Sequence, residues 1–399
     1  MKYDLIVVGA GIVGLAIALE ALKKKPKLKL LIIEKESSVA HHQSGNNSGV
    51  IHSGLYYKPG SLKSTNCING YKKIIKFCQE EEIKYEICGK LVVATTSNEL
   101  PLLDNLYNNG IKNNLEGLKF LNKDEIQNYE PYCRGMKAIL VPQTGIVNYR
   151  TVSEKYLEKV LKHGGEISLN TKVNKIINYK NNVELITNSS TYKAKVVVTC
   201  GGLHSDELAL HTHTNLPIRI IPFRGEYYKL RPKAQKMVNH LIYPVPNPSF
   251  PFLGVHFTRM IDGSVECGPN AVFSFSKEGY NKFNFNFADT VACLKWPGFR
   301  KISKKYWKEG VSEYYRSISK SAFVKALQTL VPDIKSSDLI PGGSGVRAQA
   351  CDLDGNLLDD FDIRIRENVI HICNAPSPAA TASLAIAETI SRQIVKLLK

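Results

Sequence analysis

The sequence lacks any paired-cysteine motif. Its nine cysteines, scattered over 399 residues, show neither C-x-x-C nor metal-ligand spacing, which excludes a zinc ribbon and a thioredoxin-type pair. An odd, dispersed set also argues against a disulfide framework and for a reducing compartment. There is no H-E-x-x-H, no phosphate-loop G-x-x-x-x-G-K and no G-x-S-x-G elbow, so metalloprotease, kinase and serine-hydrolase readings have no residues to rest on. Repeats, low-complexity linkers and coiled-coil heptads are missing too.

Acidic residues are in deficit: 53 Lys and Arg face 36 Asp and Glu, a net charge of +17. The basic residues form no dense run, so nucleic acid is not expected; anionic small molecules and an anionic membrane surface remain as partners. The one long apolar stretch, Leu5 to Leu22, is broken by Gly9, Gly11, Gly14 and Glu20 and reads as strand, turn and helix rather than a membrane span. No targeting extension precedes it. The expectation is a cytoplasmic protein, soluble or peripheral on the inner membrane.

What is present begins with a nucleotide fingerprint. Asp4 to Val8 reads as a buried strand and Ile12 to Lys25 as a helix, which puts Gly9-x-Gly11-x-x-Gly14 at the turn between them. The first glycine permits the tight turn, the second lets backbone approach a pyrophosphate, and the third lets helix and strand pack closely. The phosphates then meet the helix N-terminus. Lys29 to Ile33 is the next strand, and Glu34 follows Gly14 by twenty positions, where a carboxylate can accept from a ribose diol. Lys35 and the polar loop Ser44-Gly45-Asn46-Asn47-Ser48 come next, able to cradle the rest of a dinucleotide.

The remaining chain alternates. Helix is expected over 61–85, 151–163 and 320–330, strand over 88–95, 173–177, 183–186, 195–199 and 225–230, with a second return to the nucleotide-binding sheet at Cys200-Gly201-Gly202. A last strand, 369–373, leads to Asn374-Ala375-Pro376-Ser377-Pro378 and a helix from about Ala379, with Ser377 as N-cap and Pro378 in the first turn. The expected fold class is α/β: a Rossmann-like nucleotide domain from 1–85, 140–205 and 335–399, interleaved with a mixed α+β substrate domain from 86–139 and 206–334.

The chemistry-bearing candidates follow from residue type. The helix start at Pro376, Ser377, Ala379 and Ala380 offers free backbone N–H groups and small side chains, suited to an anionic reduced flavin ring. His52, between Gly49 and Gly54, is the first choice of base for a hydroxyl proton, with His256 next. Arg224, Arg259 and Arg347 are candidates to grip carboxylates, and Tyr56 and Tyr243 to line a pocket. No metal is expected.

Fingerprint and C-terminal return together resemble the FAD-dependent class that includes D-amino-acid oxidases. Longer motifs are more specific. Ser48 to Gly60, Gly254 to Gly263, Gly268 to Val272, Gly345 to Gln349 and Asn374 to Thr381 are similar to the L-2-hydroxyglutarate dehydrogenase/oxidase family over essentially the whole chain. The resemblance implies a D-amino-acid-oxidase-like fold and FAD-dependent oxidation of L-2-hydroxyglutarate to 2-oxoglutarate, with electrons passing to a quinone or another acceptor. It also implies His52 as the base, Arg259 and Arg347 on the substrate carboxylates, and Val173 and Arg347 among the cofactor contacts. Two alternatives stay open: a relative acting on an amino acid or glycerol-3-phosphate, and a flavin-binding protein without turnover.

Overall fold

The computed structural model describes residues 2–248 and 252–399. Lys2–Val8 and Leu30–Ile33 pair in parallel, Leu5 opposite Leu30 through Val8 opposite Ile33, because the helix Ile12–Lys24 between them carries the chain back before it re-enters the sheet. Thr191–Thr199 pairs with the other side of Lys2–Val8, Val369–Asn374 lies beyond it, and Glu166–Ser168 flanks Leu30–Ile33, all in parallel. The hairpin Val173–Tyr179 with Asn182–Thr187 and the strand Asp362–Arg366 add antiparallel edges, completing eight strands.

Alternate residues of a strand face opposite sides. Leu5 and Val7 enter a core with the helices Ile12–Lys24, Leu62–Glu80, Tyr149–Lys162 and Ala379–Leu397; Ile6 and Val8 enter a smaller core beneath the hairpin. Burial on both faces explains why this strand reads as continuously apolar.

A second sheet has nine strands, and its spine is Ile218–Leu230 antiparallel to Leu339–Asp352. Lys90–Ala94 is a central strand of this sheet, between Leu241–Pro244 and Lys137–Val141. A three-stranded patch of Val50–Ile51, Gly145–Val147 and Tyr85–Glu86 carries the chain into His52.

Three sequence expectations need correction. The segment 335–399 does not belong wholly with the nucleotide sheet: Leu339–Asp352 is a long strand of the second sheet, and its glycine-rich stretch Pro341 to Gly345 concealed the alternation. Residues 140–141 likewise close a strand of the second sheet. Residues 287–318 form three helices, Phe287–Lys295, Pro297–Lys305 and Trp307–Ile318, which pattern reading did not anticipate.

Candidate functional site

One cavity of about 1270 Å³ runs from the N-terminal glycine turn across to the second sheet. At the turn, Gly9 adopts φ +104°, and a Cβ there would lie 2.4 Å from the Cys200 carbonyl oxygen; a Cβ on Gly14 would lie 2.1 Å from the Gly9 carbonyl oxygen. No larger residue fits either place without moving backbone. Ser44 Oγ accepts the Ile12 N–H at 2.9 Å, so the polar loop caps the helix start. Glu34 is buried at the wall, its carboxylate accepting the Ala10 N–H at 2.7 Å and the Glu36 N–H at 3.0 Å. Gly11, Asn47, Ser48, Val173 and Cys200-Gly201-Gly202 also line this end. Gly45 does not. It packs away from the cavity, where a Cβ would lie 2.4 Å from the Arg150 guanidinium.

Lys35 lies in a charged rim. Its ammonium bonds Glu36, Glu278 and His42. Glu36, His42 and Glu278 could between them offer ligand atoms to a metal, but Lys35 already supplies a cation to all three. His204 bridges Glu207 and Glu278 at 2.9 Å each. Burial alone would lower its pKa; the hydrogen bonds of the two carboxylates outweigh that and raise it to about 9. Buried Lys277 pairs with Asp206 and Glu207 at 2.8 and 2.7 Å. These pairs hold the segment 277–280 against the helix Ser205–Leu210 and, through Glu278, against Lys35 after the second strand.

At the far end, the helix Ala379–Leu397 opens onto the cavity with Pro376, Ser377, Ala379 and Ala380 at the wall. Ser377 is not its N-cap. Pro378 holds that position without a side-chain bond, and the Ala379 and Ala382 N–H groups are taken by the Pro376 and Pro378 carbonyls at 2.9 Å. That frees the Ser377 hydroxyl, which lies 3.3 Å from His52 Nε2. The His52 N–H donates to Thr381 Oγ1 at 3.1 Å, and Thr381 is tied to Tyr149 at 2.7 Å, so histidine and helix start are fixed together. Burial, then the charges of Lys90, Lys63 and His256, push the His52 pKa down to about 3. The imidazole is neutral at physiological pH.

His256 donates from Nδ1 to the Gly254 carbonyl at 2.8 Å, leaving Nε2 to accept, and its ring lies 3.9 Å from that of Tyr243. Arg347 lines the cavity over Phe252. The other two arginines are placed elsewhere: Arg224 is buried in a pair with Glu226 at 3.0 Å, and Arg259 pairs with Glu86 at 2.9 Å, neither lining the cavity.

Sequence reasoning missed Lys90. It is 1% exposed, its ammonium 4.4 Å from the Tyr56 ring centroid and 5.2 Å from that of Tyr243, a cation–π arrangement. No carboxylate among the described residues pairs with it or with Arg347. Burial lowers its pKa to about 7. The available signal was a lysine heading the apolar strand Lys90-Leu91-Val92-Val93-Ala94.

The sequence pattern described as FAD dependent oxidoreductase matches residues 4–393. The chain belongs to the FAD-dependent oxidoreductase family. It is 52% identical to an L-2-hydroxyglutarate dehydrogenase of Indibacter alkaliphilus, covering 99% of this chain and 100% of that one. An L-2-hydroxyglutarate dehydrogenase of Escherichia coli is 42% identical, over 99% and 94%. Among solved structures, an L-alpha-glycerophosphate oxidase from Mycoplasma pneumoniae with FAD bound superposes with a TM-score of 0.80, at 23% identity, over 100% of this chain and 95% of that one, a likeness of fold.

The family's cofactor is FAD, and the residues present fit it. Gly9 and Gly14 leave a cradle that a Cβ would fill, Glu34 is set at the end of the second strand, and two helix N-termini open on the same cavity.

A pH test of the rim follows. Because the His204 pKa is raised, its stabilising contribution is complete below its ordinary value of about 6.5 and is lost as pH rises through about 9. Thermal denaturation of the FAD-loaded protein from pH 6 to 10 should show that loss in the wild type, and a lower, flatter curve for His204→Gln. Parallel curves would contradict it.

Proposed function

We propose that this chain oxidises L-2-hydroxyglutarate to 2-oxoglutarate and passes the electrons to a quinone or another acceptor. The observation that carries the reading is Arg347, a cation without a carboxylate partner that lines the FAD cavity with a neutral histidine, together with a second such cation, Lys90, which does not itself line the cavity but lies against the lining rings of Tyr56 and Tyr243. A five-carbon diacid with a hydroxyl at C2 supplies what each lacks. The names of the relatives point to the same substrate.

Bound FAD supplies the acceptor for the hydride leaving C2. The imidazole of His52 takes the hydroxyl proton, with Ser377 Oγ beside its ring and Thr381 Oγ1 holding its backbone N–H. Arg347 grips one carboxylate through its planar fork, and Lys90, beside the lining rings of Tyr56 and Tyr243, attracts the other as a point charge. The Tyr243 and His256 rings pack on each other, and Lys90 lies 5.2 Å from the Tyr243 ring. Tyr56, whose buried hydroxyl has no partner among the described residues, offers a further donor. Substrate also tunes its own base. Lys90 is among the charges that depress His52, so a carboxylate set against it offsets that charge and raises the proton affinity of the imidazole when a proton must be taken.

Two variants test these roles by anaerobic stopped-flow. His52→Ala should retain FAD and slow flavin reduction by ~100-fold, the scale for losing a general base; an unaltered rate would transfer the role to His256. For Lys90, kcat/KM should fall as pH rises through about 7, where the ammonium loses its proton. Lys90→Met should weaken substrate binding by ~10-fold or more and abolish that fall. A variant that keeps wild-type affinity and pH profile would remove Lys90 from the site.

A further inference from the structure

The helix Trp307–Ile318 is built inside out. Trp307, Val311, Tyr315 and Ile318 recur at helical spacing and stand exposed, whereas its buried positions are Glu313 and Ser317. The inward face is satisfied by polar bonds: Glu313 accepts the Ala271 N–H at 2.9 Å, Ser317 Oγ donates to Glu226 at 2.7 Å, and the Tyr314 hydroxyl donates to the Phe273 carbonyl at 2.6 Å. The apolar stripe therefore faces outward by construction.

Beside it, Phe283, Phe285 and Phe287 project from an exposed run, Phe283 at 96%. Lys282 hydrogen-bonds the Ser317 carbonyl. That bond brings the chain at Phe283 beside the chain at Ile318 and joins loop and helix into one surface. More than half of the exposed large apolar side chains among the described residues fall between Phe275 and Ile318. Isolated exposed apolar residues are ordinary; a gathered aromatic surface marks an interaction site.

We infer that this surface docks the protein on an anionic phospholipid bilayer. Over residues 281–318, Lys and Arg outnumber Asp and Glu by eight to three; Arg300, Lys301, Lys304, Lys305 and Lys308 are all exposed between the aromatic run and the first turn of the helix, Lys308 over the Trp307 ring and Lys301 paired with Asp354. Rings that project from a lysine-rich surface embed at the boundary of headgroups and acyl chains while the ammonium groups meet lipid phosphates. A second copy of the chain fits less well, because a self-complementary contact would set this basic excess against itself. Among the described residues no helix is long and apolar enough to cross a membrane, so attachment is to one leaflet.

Glu278 lines the cavity, and the aromatic run begins five residues further along the chain. A lipid-soluble acceptor in that bilayer would thus be delivered close to the cavity rim. This consequence rests on the proposed reaction, whereas the docking does not.

The test is sedimentation of the FAD-loaded protein with vesicles of phosphatidylcholine containing phosphatidylglycerol, and of phosphatidylcholine alone, at low and high salt. The triple variant Phe283→Ser, Trp307→Ser, Ile318→Ser changes only exposed side chains, and its activity with a soluble dye acceptor should match the wild type. Salt-sensitive binding to the anionic vesicles, weakened ~10-fold or more in the variant, is the expected result. No binding at low salt, or equal binding of variant and wild type, would overturn the inference. So would light scattering that shows a wild-type dimer which the variant dissociates, with no vesicle binding by either.

Discussion

The account turns on positive charge held out of water without a counter-charge. Lys90 is enclosed at the head of a central strand, with aromatic rings rather than a carboxylate beside its ammonium. Taking such a group out of water costs roughly several kcal/mol, and the lowered pKa registers that penalty directly. A strand paired on both sides makes the arrangement possible, because its backbone bonds hold Lys90 in place whatever its side chain prefers. An anionic ligand relieves the strain, which makes the cavity selective before any contact is optimised. Burial, and after it the charge of Lys90, keeps His52 unprotonated, linking recognition to base chemistry.

The two sheets divide the labour. The parallel sheet ends in the glycine turn and presents helix N-termini, backbone N–H groups and a single buried carboxylate, Glu34, fitting a dinucleotide. The nine-stranded mixed sheet supplies Lys90, Tyr243, His256 and Arg347 from four of its strands. His52 enters from the small three-stranded patch between them and is fastened to the C-terminal helix through Thr381. The rim around Lys35, His204 and Glu278 then adds charged pairs to the apolar cluster that Cys373 of the first sheet shares with Ile218, Ile220 and Ala350 of the second.

How much of this was legible depended on the range of the interactions. The nucleotide end was readable because strand, turn, helix and Glu34 all lie within 35 residues and each is fixed by local geometry. His52 stood out for its glycine setting and through a family resemblance. The arginines were ambiguous for the opposite reason. Arg259 is neutralised by Glu86 and Arg347 is not, and nothing near either residue in the sequence distinguishes them, since Glu86 lies 173 positions away. Lys90 was passed over because lysine is ordinarily a surface residue. The strand Leu339–Asp352 was hidden by glycines, and the helix Trp307–Ile318 by apolar residues that face solvent instead of a core.

The most direct measurement is anaerobic titration of the purified, FAD-loaded protein, followed by the visible flavin band. L-2-hydroxyglutarate, its D enantiomer and L-2-hydroxybutanoate, which lacks the second carboxylate, should be compared. If Arg347 and the buried Lys90 select the substrate, the L diacid bleaches the band at far lower concentration than the monocarboxylate, and the D enantiomer leaves it oxidised. Equal bleaching by diacid and monocarboxylate, or a band that the L diacid leaves intact, would contradict the account.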